Sequence, residues 1–221
     1  MRKQLYLLLL SACSFCFCKA QDDVHFDHKI PATGRSYKDF IPAGCDTLAM
    51  ATGDLNKDGK DDIVLALYDT AENTNMDAAR LLVILFRTDA GYALKAKSDQ
   101  LLLCKGCGGV FGDPFNGISI TKNVMSVDHY GGSAWRWSYI MKFRYQNNDL
   151  YLIGKTDYSY WDVKHCDKYD EFAGTEFEET NFVTGDHVLK KISENCKMLV
   201  NKKGKIKIKP LVKLVDYKLD N

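Results

Sequence analysis

The segment Asp54-Leu55-Asn56-Lys57-Asp58-Gly59-Lys60-Asp61-Asp62 carries oxygen-bearing side chains at loop positions 1, 3, 5 and 9 and a glycine at position 6. That spacing suits calcium, which takes about six to eight oxygens at roughly 2.3–2.6 Å, because a tight loop can aim alternate side chains inward while Gly59 turns without a Cβ clash. Asp54, Asn56, Asp58 and Asp62 are the candidate side-chain ligands, the Lys60 carbonyl is a backbone ligand, and Asp61 points outward. Without metal, three carboxylates repel one another across a short loop. An EF-hand would place Glu at position 12 ahead of a helix, but that position is Leu65 in the run Ile63-Val64-Leu65-Ala66-Leu67, so the EF-hand is excluded. The competing reading is a metal-free Asp58-Gly59 turn, which leaves Asp54 and Asp62 unexplained.

The cysteines supply the second chemistry. Cys104-Lys105-Gly106-Cys107 is a C-x-x-C that admits a redox dithiol, half of a zinc site or a structural disulfide. Gly108-Gly109-Val110-Phe111-Gly112 cannot open the helix that a redox dithiol needs, and the remaining cysteines are too scattered for zinc. A disulfide is therefore expected, within the pair or to a distant cysteine, and Cys166 with Cys196 is a candidate second bridge. Residues 105–117 form a glycine-rich loop that is ordered only if something holds it.

Aromatic residues supply the third. Trp135, Trp137, Tyr139, Met141, Phe143 and Tyr145 alternate with Arg136, Ser138, Ile140, Lys142 and Arg144, the period of a long antiparallel strand. Trp135, Arg136, Trp137 and Tyr130 are candidate ligand-binding residues, since aromatic faces stack on sugar rings and a guanidinium bonds hydroxyls or carboxylates. The competing reading makes the six large residues the inner face of a sheet. No catalytic residue is assigned. The chain lacks a G-x-S-x-G elbow, an H-E-x-x-H helix, a P-loop and a G-x-G-x-x-G turn, and its five histidines are dispersed. Asp128 with His129, and Asp162 with His165, are the pairs a fold could assemble into an acid–base site.

The elements that must position these residues are strands. Residues 47–52 and 63–68 are strand-like, and Leu81 to Phe86 suits a strand buried on both faces. Gln146-Asn147-Asn148-Asp149 turns the aromatic strand into a returning one at 150–153, and Asn201-Lys202-Lys203-Gly204 is expected to turn a C-terminal hairpin between 196–200 and 206–209. The lysines of 202–213 fit an edge strand guarded by charge. Helical periodicity is scarce, so the fold class is mainly β, built of antiparallel sheets and hairpins. Residues 21–43 are polar and broken by Pro31, Gly34 and Pro42, and read as a leader before a single β-rich domain at 44–221.

The stretch from Ala51 through Asp54 to Val64 resembles the calcium loop of FG-GAP (VCBS-type) repeats, in which a strand runs into a D-x-N-x-D-G-x-x-D loop and a second strand leaves it. The resemblance covers about residues 45–70. It implies structural calcium on a β scaffold used for binding rather than catalysis, as in integrin-type propellers and many exported bacterial proteins. The loop occurs once, so an FG-GAP-like unit at about 45–95 packed on an antiparallel region at about 100–221 is expected in place of a propeller.

Met1-Arg2-Lys3 followed by the apolar run Leu5 to Cys18 reads as a signal peptide over 1–20, too short to span a bilayer. Cleavage after Ala20 competes with lipidation at Cys13, since Leu10-Ser11-Ala12-Cys13 is similar to a lipobox. Export gives a periplasmic, secreted or lipid-anchored protein whose disulfides can form, with five cysteines left after residue 20. No later stretch reaches membrane length. The 30 Lys+Arg and 29 Asp+Glu of the 221 residues give a net charge of +1, which provides no field for nucleic acid. The expected partner is an envelope macromolecule or a glycan; a small envelope hydrolase and a purely structural envelope protein are the alternatives.

Overall fold

The computed structural model describes residues 25–219; the expected signal peptide, its cleavage site and Cys13 lie outside them. The protein is mainly β, in two antiparallel sheets. The first has five strands, β1 (Thr33–Gly34), β2 (Cys45–Gly53), β3 (Asp62–Asp69), β4 (Leu81–Thr88) and β5 (Gly91–Ser98), in the order β1-β5-β4-β3-β2. The second is a seven-stranded meander of β6 (Phe115–Thr121), β7 (Val124–Gly132), β8 (Trp135–Gln146), β9 (Asp149–Cys166), β10 (Glu171–Asn181), β11 (Asp186–Ile192) and β12 (Met198–Lys205). Among the described residues, no helix is long and apolar enough to cross a membrane.

β3 and β4 occupy the interior of their sheet, and their near-continuous apolar sequence follows from being covered twice. Val64, Ala66, Leu82 and Ile84 face the second sheet and pack with Met125, Val127, Met141 and Phe143. Ile63, Leu65, Leu67, Leu81, Val83 and Leu85 face the other way. They are covered by Phe40, with Phe26, Ile30, Tyr37 and Ile41 around it. The described part of that stretch, 25–43, is thus not simply a polar leader: its sparse aromatics, spaced among polar residues, close the outer face of the first sheet. Ser36 and Asp39 form a capping box that fixes the single 3-10 turn Tyr37–Phe40 and aims Phe40 inward.

The β8–β9 turn falls where expected, with Asn147 and Asn148 both at positive φ (50° and 61°), the geometry that two-residue hairpin loops require. The C-terminal hairpin does not form. Asn201 to Gly204 run straight through the edge strand β12, opposite Lys190, Leu189, Val188 and His187 of β11. The partner β11 offers these residues ladder bonds over their whole length, which a turn would forfeit. Lys202, Lys203 and Lys205 are exposed on this outer strand, as charge guarding an edge demands.

The apolar cluster shared by the two sheets draws on β6 to β9 and on none of β10, β11 and β12. Those three strands share only a small cluster with the end of β9, Cys166, Ala173 and Ile192 with Trp161, Tyr169, Cys196 and Met198 around them. The second sheet therefore extends past the first, leaving part of its inward-directed face open.

Candidate functional site

The loop 54–62 joins β2 to β3, wound by Lys57 (φ 67°) and Gly59 (φ 80°). Asp54 accepts the amides of Lys57 (2.6 Å) and Asp58 (3.1 Å) at Oδ1 and of Gly59 (3.0 Å) at Oδ2. Asn56 Oδ1 accepts the amide of Asp58, and Asp58 Oδ1 that of Lys60. These bonds turn the side chains of positions 1, 3 and 5 toward the loop's own backbone. Asp62 is fully buried and accepts the amides of Leu55 (2.9 Å), Asn56 (3.3 Å) and Arg87 (2.9 Å). Burial pushes its carboxyl above the usual range, opposed by those three amides. Lys60 turns its ammonium away to Asp89 (2.6 Å), and Asp61 is exposed, as expected. Asn123, from the β6–β7 turn, donates to the Asp54 carbonyl, and Ile120 of β6 sits against Gly53, so the second sheet buttresses the loop.

The donor set suits a hard cation in kind. Asp54 and Asp62 each spend three of about four lone-pair sites on amides, leaving one apiece. Asp62 has no cationic side chain paired to it among the described residues, although a buried carboxylate ordinarily requires one. The cluster is not preformed: Asn56 Nδ2 donates to Asp58 Oδ2 (3.2 Å) across the loop, and no group of three or more His, Cys, Asp or Glu among the described residues is gathered for a metal.

The four aromatic-region residues do not make one site. The pleat of β8 puts Trp135 and Trp137 on one face and Arg136 on the other, where Tyr130 also lies opposite Ser138. Arg136 holds Asp162 (2.9 and 3.2 Å) and lies 3.8 Å over the Phe111 ring. Tyr130 reaches the Tyr160 hydroxyl at 3.5 Å, and Trp135 lies over Gly174. On the Trp face, Met141 and Phe143 are core, whereas Trp137 and Tyr139 stand on the part of the sheet beyond the first one.

There, two consecutive rungs cross four strands in register. Trp137, Ser159, Glu176 and Lys191 form one; Tyr139, Asp157, Glu178 and Leu189 form the next. The Trp137 and Tyr139 rings stack at 4.9 Å and 22°. Trp137 can lie flat because its neighbour is Gly131, where a Cβ would come within 2.5 Å of the indole. Lys155 pairs with Asp157 (2.9 Å), Lys191 with Glu176 (3.0 Å) and His187 with Glu178 (2.8 Å). The residues of the two rungs border a surface depression of about 140 Å³. The β-sheet register that gathers Asp157, Glu176 and Glu178 onto this face joins segments far apart in sequence, and only the period-2 pattern of each strand hinted at it.

Neither candidate acid–base pair assembles. Asp128 bonds Asn116 (2.8 Å) on the face opposite His129, and Asp162 is held by Arg136 while His165 sits on Asp167 (3.0 Å). His129 is fully buried; its Nε2 accepts the Leu103 amide (3.2 Å), which leaves the proton on an Nδ1 without a partner. Burial, then the charge of Arg80, hold its pKa down to about 4, so it is neutral at ordinary pH.

Beneath the glycine loop lies a group that the sequence reading missed. Arg80 is fully buried and forks to Glu72 (3.1 and 3.2 Å) and to Asp113 (2.7 and 2.6 Å), with Leu103 O at 3.3 Å. The signal available was an arginine directly before the most apolar strand of the chain. The glycine loop is held by this arginine, by a Cys104–Cys107 disulfide across the turn Lys105–Gly108, and by Val110 N donating to Gly132 O (3.1 Å). Cys166 and Cys196 form the second disulfide. Among the described residues Cys45 is the free thiol, pushed up to about 11 by burial and by the Asp69 charge, which makes it a poor nucleophile. No protein-family model, curated protein or solved structure matches the chain.

Proposed function

We propose that the chain is an exported β-rich binding protein of the bacterial envelope that presents the Trp137–Tyr139 face to a glycan, with calcium at 54–62 serving structure. The observation that carries the reading is the pair of rungs: stacked rings beside three carboxylates, a hydroxyl and an ammonium, on sheet area the core does not use. Rings give apolar contact to a sugar's C–H face, while carboxylates and Ser159 bond its hydroxyls. Two disulfides support export. The test is titration of the β-1,4-linked N-acetylglucosamine hexamer and of soluble peptidoglycan fragments into the protein and into Trp137→Ala. Binding by at least one probe is expected, with Trp137→Ala weakening it about tenfold or more, or about 1.4 kcal/mol. Absence of binding, or binding indifferent to Trp137, defeats the glycan reading.

Calcium would draw on Asp54, Asn56, Asp58 and the remaining lone pair of Asp62, and would supply the positive charge that the buried Asp62 lacks. This is the FG-GAP-like part of the reading. Asp58 is the informative substitution because it is exposed, so its loss leaves the core intact. Millimolar calcium is expected to raise the melting temperature of chelator-treated protein, by a stabilisation of about 2.7 kcal/mol at a hundred times Kd. The rise is expected to vanish in Asp58→Ala. A melt that ignores calcium in the parent protein refutes the site.

A further inference from the structure

Past β12 the chain reads Ile206-Lys207-Ile208-Lys209-Pro210-Leu211-Val212, a run whose apolar and basic residues alternate as in a strand. It forms no strand. It is pinned at its two ends, where Ile206 N donates to Gly185 O (2.8 Å) and Leu152 N donates to Val212 O (2.9 Å). Among the described residues, 207–211 make no backbone hydrogen bond between these pins, and Pro210 has no N–H to give. The segment is a strap.

Between the strap and the second sheet lies a cavity of about 570 Å³, within the roughly 300–1,000 Å³ of small-molecule sites and the most apolar of the depressions described for this protein. Leu152, Phe182 and Tyr217 line it from the body of the protein, and Ile206, Ile208 and Leu211 from the strap. Lys207 and Lys209 also line it, and neither has an ion-pair or hydrogen-bond partner among the described residues. The lysines flanking the strap are paired, Lys205 with Asp186 and Lys213 with Asp149. Apolar walls with two unneutralised ammonium groups on one side match a molecule that has an apolar tail and a negative head.

We propose that this cavity binds a single-chain amphiphile with an anionic headgroup, its tail against Leu152, Phe182 and Leu211 and its head at Lys207 and Lys209. The strap ends are fixed and its middle is free of backbone bonds, so the middle can move to admit a chain while the pins hold the fold. This site is separate from the Trp137–Tyr139 face and stands whether or not that face binds glycans.

The test uses dodecanoate, dodecan-1-ol and dodecyltrimethylammonium, each below its micelle concentration, displacing 1-anilinonaphthalene-8-sulfonate from the purified protein. One saturable site is expected, with dodecanoate at least tenfold tighter than the ammonium. Ile208→Glu puts a carboxylate at a position 57% exposed, so folding is unaffected, and it is expected to weaken dodecanoate at least tenfold. The double variant Lys207→Glu, Lys209→Glu is expected to lose the preference for the anion while retaining dodecan-1-ol. Absence of saturable displacement, equal affinity for anion and cation, or indifference to Ile208→Glu overturns the proposal. So does sedimentation showing a dimer that Ile208→Glu dissociates, which would give the cavity to a second copy of the chain.

Discussion

Arg80→Met is expected to cost about 3–5 kcal/mol of stability, seen as a lower urea midpoint at unchanged slope. Arg80 is fully buried and Glu72 nearly so, and the guanidinium spends its donors on two carboxylates and a carbonyl. The pair with Asp113 is only partly screened by solvent, because a third of that side chain is exposed. Its attraction lowers the Asp113 carboxyl even though burial pushes the other way. Methionine fills a similar volume but leaves the Glu72 carboxylate desolvated and unpaired, and that uncompensated charge dominates the loss. Lysine at 80 is not expected to rescue, since one ammonium cannot fork to two carboxylates on opposite sides. Replacing Glu72 by Met as well should return part of the stability, because the orphaned charge is then gone. A loss in Arg80→Met below about 1 kcal/mol would mean that the buried network contributes little.

Cys166→Ala with Cys196→Ala is expected to be the second large effect, about 3–4 kcal/mol on the chain-entropy account for a bridge spanning 30 residues. The bridge across Cys104 and Cys107, separated by 3, closes a much shorter loop and is expected to contribute about 2 kcal/mol on the same account. The location matters as much as the span. β10, β11 and β12 contribute nothing to the cluster between the sheets, and the small cluster they share with the end of β9 contains both cysteines. Without the bridge, these strands should open independently of the rest. Amide exchange is expected to quicken across 171–192 while 63–69 and 81–88 keep their protection. Uniform loss of protection through both sheets would show instead that the bridge stabilises the fold as a whole.

The fold class and the strands at 47–52, 63–68, 81–86 and 135–153 were legible because each depends on short-range pattern, whereas β6, β7, β10 and β11 became apparent only in the sheet. The period-2 alternation of 135–145, the paired asparagines at 147–148 and the doubly apolar run 81–86 each encode one local geometry. The loop at 54–62 was legible as a turn between two strands for the same reason, since Asp54, Asn56 and Asp58 bond amides within a few residues, although Asp62 also takes the Arg87 amide from 25 residues away. The turn assigned to 201–204 failed because Asn-Lys-Lys-Gly is permissive in isolation, and the neighbouring strand β11 supplied the competing hydrogen bonds. Grouping Trp135, Arg136 and Trp137 also failed, although the alternation already separates the arginine from the two indoles.

What the sequence determined by itself is therefore the fold class, the strands at 47–52, 63–68 and 81–86, the aromatic hairpin at 135–153 and the loop between the first two strands, all consequences of side-chain spacing along the backbone. The tertiary structure alone decided that Phe40 seals the first sheet, that Arg80 meets carboxylates 8 and 33 residues away, and that Glu176 and Glu178 stand beside Trp137 and Tyr139. Those pairings depend on strand order and register, which are set by burying both sheets at once, and no local run of residues carries that information.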